Sequence, residues 1–291
     1  MPGQLTRTAI AAQPEWLSQV PARVGDRRLP EGARMLFTGC GTSYHAALAC
    51  GPAAQALEVV LGNAPPADVL VALSHEGETP LTLEAVEGFA GETWLVTGAE
   101  EGPIARAADH VVVVTPEIEK SYCHTVSYVC AVAAGRVLQG EDVSGLPDAV
   151  ARELVAGPLG PSSHDRFVVA GAGRDAATML EAVLKLREGA HVAAEAHQTE
   201  QLLHGQLAAI DASVRCFVLA GEGRAAERAA DAMKALGALD CVATLVPTSH
   251  PVVDIVRFQR LTCDLAEARG IDPDLIRWDE DPWDRARKSY D

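Results

Sequence analysis

No stretch of about 18 or more uninterrupted apolar residues occurs in the 291-residue chain, so a membrane-spanning helix is excluded. The stretch Met1–Gln13 has neither the charged start nor the apolar run of a signal peptide. Together these predict a soluble, cytoplasmic protein. Basic residues are scarce, 24 against 40 acidic, for a formal net charge of −16. A polyanion is normally met by a basic surface, so nucleic acid is excluded as a partner. Any anionic ligand must be held by local dipoles and hydrogen bonds. The seven cysteines are odd in number and contain no C-x-x-C pair, which indicates neither a disulfide framework nor a thiolate zinc site. The nine histidines include no H-E-x-x-H pairing, so no metal or other cofactor is expected.

What the chain does have is apolar content, 48% of it, enough to bury a full core over one large or two modest domains. Apolar runs of strand length recur at Met35–Thr38, Val69–Leu73, Thr93–Val96, His110–Thr115, Phe167–Ala170, Cys216–Ala220 and Ala243–Val246. Stretches of helical composition lie between most of them, a pattern that predicts an α/β fold with parallel sheets covered by helices. The halves echo each other: MLFTGCGTS at 35–43 and FVVAGAGRD at 167–175 both run from a strand through G-x-G into a helix. Two doubly wound units are therefore expected, residues 1–154 and 166–291, joined by the Gly/Pro/Ser-punctuated linker 155–165.

Four segments could carry chemistry. In GCGTSYH, Gly39–His45, a strand hands over to a helix and Thr42 and Ser43 set hydroxyls beside its first N–H groups. The corner suits an anion or a plain N-cap. SHEGET, Ser74–Thr79, follows the next strand, and a right-handed crossover sets it beside the first corner; it also reads as a capping box. In EAVLKLRE, Glu181, Lys185 and Glu188 stand at i, i+4 and i+7 on one helix face, a spacing that by itself favours a solvated charged stripe. His204 in QLLHGQ precedes a glycine, where a cap or core hydrogen bond is the ordinary role.

Taken in order, AIAAQP, GCGTSYHAAL, SHEGET, TPEI and EAVLKLRE with AEAHQTEQLLHGQLAAID resemble the sugar isomerase (SIS) domain family, most closely the isomerase module of glucosamine-fructose-6-phosphate aminotransferases. The resemblance implies two tandem flavodoxin-like SIS subdomains and a homodimer with its active site between subunits. It implies Glu188 as the base that moves a proton between C1 and C2 of an open-chain sugar, and His204, from the partner, as the aid to ring opening. Glu181 and Lys185 would position substrate and base, and Lys288 would close over the sugar. Gly41, Thr42, Ser43, Ser74, His75, Glu76, Thr79 and His124 would surround the substrate or its phosphate.

These residue types fit aldose–ketose chemistry, which needs one carboxylate to take a proton from carbon and donors for an enediolate. The loop departs from the family's S-Q-S-G-E-T at His75 and Glu76, and EKSYCHTVSY has His124 near the family's usual lysine. At 4 Å a carboxylate facing a phosphate costs about 4 kcal/mol per charge pair in a partly solvated site. Either Glu76 turns outward, or a protonated His75 offsets it, or the substrate is unphosphorylated or a cationic amino sugar. The SIS-type start at Met1 leaves no N-terminal glutaminase cysteine. The expectation is an isomerase or amino-sugar-phosphate deaminase on a hexose or hexosamine phosphate; the alternatives are an isomerase of an unphosphorylated amino sugar, a non-catalytic sugar-binding module or an oligomerisation partner. Trp278 and Trp283 are read as packing the tail.

Overall fold

The computed structural model describes residues 2–160 and 163–290; Met1, Asp291 and two residues of the predicted linker, Pro161 and Ser162, lie outside the described residues. The first half runs α1 (Gln4–Val24), β1 (Met35–Gly39), α2 (Thr42–Cys50), β2 (Ala53–Gln55), α3 (Ala56–Val60), β3 (Val69–Leu73), α4 (Pro80–Glu87), β4 (Glu92–Thr97), α5 (Pro103–Ala107), β5 (His110–Val113), α6 (Val126–Leu138) and α7 (Leu146–Val155). The second continues with β6 (Arg166–Gly171), α8 (Ala176–Ala190), β7 (Ala193–Gln198), α9 (Thr199–Leu203), β8 (Val214–Leu219), α10 (Arg224–Ala238), β9 (Val242–Val246), α11 (Pro251–Arg269) and α12 (Asp281–Arg287).

Both sheets are parallel throughout, ordered β2-β1-β3-β4-β5 and β7-β6-β8-β9. The first is the flavodoxin-like order, and the second repeats it one strand short. All seven predicted strands form. The two extra strands, β2 and β7, are outermost in their sheets and are written in Ala, Gln, Glu and His. No β-branched run announces them; each is a strand because β1 or β6 offers it a ladder.

Helices cover both faces of each sheet. One continuous apolar cluster joins the inner faces of the two sheets to α1, α2, α6, α7, α8 and α11, so the halves share a core. Separate clusters seat α4 and α5 on the outer face of the first sheet and α10 on the outer face of the second. No described helix is long and apolar enough to cross a membrane.

The two ends of the chain meet. Asp274, past α11, accepts hydrogen bonds from the Leu5 N–H at 3.0 Å and from the Thr6 N–H and hydroxyl, each at 2.7 Å. Asp272 accepts one from the Gly3 N–H at 2.8 Å. Gly3 itself, with φ 74°, offers α1 no side-chain cap, so these carboxylates satisfy its free N–H groups and meet its positive end. Asp274→Ala is expected to lower the unfolding free energy by about 2 kcal/mol because the buried Thr6 groups lose their acceptor, and Asp274→Asn by less. Urea titration checks both.

Asp254 on α11 gives a second test. It accepts the Ser249 N–H at 2.8 Å, yet burial pushes its pKa up to about 6. The folded protein therefore keeps a proton that the unfolded chain releases above about pH 4. This contribution to stability is full below about pH 4 and is lost as pH rises through about 6. Urea midpoints at about pH 4.5 and about pH 7 should differ less in Asp254→Asn than in the wild type.

Candidate active site

The strand order reverses between β1 and β3, and open α/β sheets bind ligands beyond the carboxyl ends of such a pair. Gly39 ends β1; a Cβ there would lie 2.9 Å from the Leu73 carbonyl and from Ser43. Only glycine lets β1, β3 and the first turn of α2 close on one another here. A cavity of about 210 Å³ opens at this point. Thr42 and Ser43 line it from α2, Ser74, His75, Glu76 and Thr79 from the β3–α4 loop, and Glu188 from α8. Tyr122, His124, Ser127 and Tyr128 come from the start of α6 and the loop before it, and Ile276 and Trp278 from the C-terminal segment. Gly41, with φ 54°, turns the chain into α2 without lining the cavity.

Behind Glu188 the charged row is buried, not solvated as its spacing favoured: Glu181 and Lys185 are both 0% exposed. Lys185 Nζ donates to Glu188 Oε2 at 2.7 Å, to Thr42 Oγ1 at 3.0 Å and to the Cys123 carbonyl at 3.4 Å, and lies 3.4 Å from Glu181 Oε1. Thr42 Oγ1 in turn donates to Glu181 Oε1 at 3.2 Å, and His45 Nδ1 sits 2.8 Å from Glu181 Oε2. Burial pushes the Glu181 carboxyl up, but Lys185 and His45 outweigh it and hold the pKa below its ordinary value. Burial likewise works against the Lys185 ammonium, and Glu181 and then Glu188 more than reverse it. Glu181 and Glu188 thus share one ammonium, and Glu188 alone of the three reaches the cavity.

The departures at the β3–α4 loop have a definite geometry. His75 Nε2 accepts the Glu119 N–H at 2.9 Å, so that nitrogen carries no proton. Burial, helped by His124, lowers the His75 pKa to about 4. The ring is neutral at pH 7, which removes a protonated His75 as the offset to Glu76. It lies against Gly98, where a Cβ would come within 2.6 Å of it. Glu76 is exposed, lines the cavity and has no hydrogen bond or ion pair among the described residues.

Glu119, buried, caps α6: its carboxylate accepts the Thr125 N–H at 2.7 Å, the Ser127 N–H at 2.8 Å and the Ser127 hydroxyl at 2.6 Å. Tyr128 OH and His124 Nδ1 are buried without a hydrogen-bond partner. Burial raises the Tyr128 pKa well above its ordinary value, so its hydroxyl keeps its proton. Unpaired polar atoms on a cavity wall are places for a ligand's hydroxyl groups or for water. Tyr122 and Trp278 stack with ring centroids 4.7 Å apart, and the Arg287 guanidinium lies 3.5 Å from the Trp278 centroid. Trp278 therefore both packs the tail and forms a wall of the cavity.

The remaining candidates lie elsewhere. His204 is 71% exposed and hydrogen-bonds Glu200 at 2.7 Å; Lys288 is 70% exposed and pairs with Asp284 at 2.7 Å. Neither lines the cavity. Sequence reasoning missed His45, Tyr122 and Tyr128. His45 carried a signal, since it stands three residues after Thr42 on the same face of a helix; no motif singled out the tyrosines.

No protein-family model matches the chain. Among curated proteins it is 30% identical to the glutamine–fructose-6-phosphate aminotransferase (isomerizing) of Aeropyrum pernix, over 92% of this chain and 54% of that protein. It is 27% identical to the enzyme of the same name from Methanothermobacter thermautotrophicus, over 84% and 50%. The chain thus spans about half the length of these curated relatives. Among solved structures, tagatose-6-phosphate ketose/aldose isomerase from Escherichia coli matches with TM-score 0.79 and 16% identity, over 95% of this chain and 97% of that one. The C-terminal domain of glucosamine-fructose-6-phosphate aminotransferase from Francisella tularensis matches at 0.76 and 17%, over 93% and 98%. Glucosamine-6-phosphate deaminase from Thermotoga maritima matches at 0.73 and 21%, over 94% and 97%. Its two parallel sheets and its curated relatives together show that the chain belongs to the sugar isomerase (SIS) domain family.

Proposed function

We propose that this chain is a sugar aldose–ketose isomerase that moves a proton between C1 and C2 through an enediolate. The observation that carries the reading is Glu188: of the row Glu181, Lys185 and Glu188, it is the one carboxylate that lines the cavity. Its Oε2 is held by Lys185, which leaves Oε1 for the substrate. Glu188 takes the proton from C2 of the open-chain aldose, the C–H electron pair becomes the C1=C2 bond, and the carbonyl π pair moves onto the C1 oxygen to give the enediolate. The C2 hydroxyl proton passes to the C1 oxygen, Glu188 returns its proton to C1, and the C2 oxygen becomes the ketone. Lys185 fixes the base without facing substrate, and Tyr128, protonated and unpartnered, is the donor for the enediolate oxygens.

Glu188→Gln is expected to lower solvent-deuterium incorporation at C2 by about 10²–10⁴-fold, the usual worth of a positioned base. Exchange in the variant at the wild-type rate would remove Glu188 as the base, and no exchange with the wild-type protein would leave a sugar-binding module without catalysis. NMR of an aldohexose in D₂O reads either result.

In the proposed homodimer, exposed His204 serves the partner's cavity. Mixing protomers of Glu188→Gln with protomers of His204→Ala should then restore about a quarter of wild-type activity, half the dimers being mixed and each carrying one intact site. If both residues act within one protomer, the mixture stays inactive.

A further inference from the structure

Which terminal group the cavity accepts follows from what lines it. No lysine or arginine lines it among the described residues. Glu76 does, with no counter-ion. The neighbouring positive groups are already committed: Lys185 is buried against Glu181 and Glu188, Arg287 lies over Trp278 and pairs with Asp284, and His75 Nε2 receives an amide proton and adds no charge. The N-terminus of α6, whose N–H groups would otherwise suit an anion, is filled by the Glu119 carboxylate. An unpaired carboxylate on the cavity wall is the chemistry that receives a cation, by charge-assisted hydrogen bonding. The buried, unpartnered Tyr128 hydroxyl on the same cavity independently points to a polar ligand.

We propose that the end of the cavity at the β3–α4 loop takes a protonated amine on the sugar carbon farthest from the carbonyl and rejects a phosphate there. The substrate class is then an unphosphorylated amino sugar. Which end holds the carbonyl rests on the isomerase reading above; the charge preference does not.

Three probes differ only at that carbon: 6-amino-6-deoxyglucose, glucose and glucose 6-phosphate. Their affinities are measured by calorimetry near neutral pH on the Glu188→Gln protein, so that turnover plays no part, with and without Glu76→Gln or Glu76→Ser. The amine is expected to bind about tenfold tighter than glucose and the phosphate weaker than glucose. Either substitution at Glu76 should erase the amine's advantage and strengthen the phosphate; using two guards against one misfolding. Glucose 6-phosphate binding tighter than glucose with Glu76 intact overturns the proposal, as does a ranking indifferent to Glu76 or no binding by any probe. If the ranking holds while no sugar shows C2 exchange with wild-type protein, the isomerase reading fails and the charge preference stands. If exchange is fastest with the phosphate, the reverse is true.

Discussion

Burying one ammonium among carboxylates is the constraint on which the two halves depend. Lys185 and Glu181 are fully inaccessible, and removing such charges from water costs several kcal/mol each unless geometry returns it. Here the return comes from the other half of the chain. Thr42 accepts from Lys185 and donates to Glu181, His45 meets the second Glu181 oxygen, and the Cys123 carbonyl faces the ammonium. Because α8 belongs to one sheet and α2 to the other, the ions are satisfied only when both sheets are in place. The same contacts set the rotation of α8 and so deliver Glu188 to the cavity.

Local charge balance then shapes the cavity more than the overall charge of −16 does. A helix N-terminus attracts an anion whether the anion is ligand or protein. At α6 the protein supplies its own in Glu119, while α2 is begun by Gly41 with no side-chain cap. The cavity wall therefore keeps hydroxyl groups, the His75 and His124 rings and aromatic rings, a surface suited to a polyhydroxylated molecule.

Much of this was legible in the sequence. The alternation of apolar runs with helical stretches gave both parallel sheets, and the two G-x-G corners gave the duplication. The row Glu181, Lys185, Glu188 was visible as one helix face, but its burial was not. That depends on Thr42 and His45, about 140 positions away in the chain, and spacing along a helix carries no information about what packs on it. The edge strands β2 and β7 failed for a similar reason, since their pairing comes from a neighbour and not from their own propensity. The neutral state of His75 turns on its burial and on the Glu119 N–H that its Nε2 accepts, which no motif encodes.

Duplication also raises the question of why one corner is open and its counterpart is not. In the second half the strand order reverses between β6 and β8. There Asp175, 1% exposed, accepts the Thr248 hydroxyl at 3.2 Å, and Thr248 accepts the Gly221 N–H at 3.2 Å. Side chains of the protein thus meet one another at the corner that is open in the first half, at the expense of a carboxyl whose pKa burial drives up. In the first half the corresponding turn carries Thr42 and Ser43, too short to fill the crevice, with Thr42 drawn away toward Lys185. The difference between a filled corner and an open one is therefore where the nearest carboxylate sits. Asp175 stands within its own turn and plugs it, whereas Glu181 stands on the opposing helix and pulls the turn open.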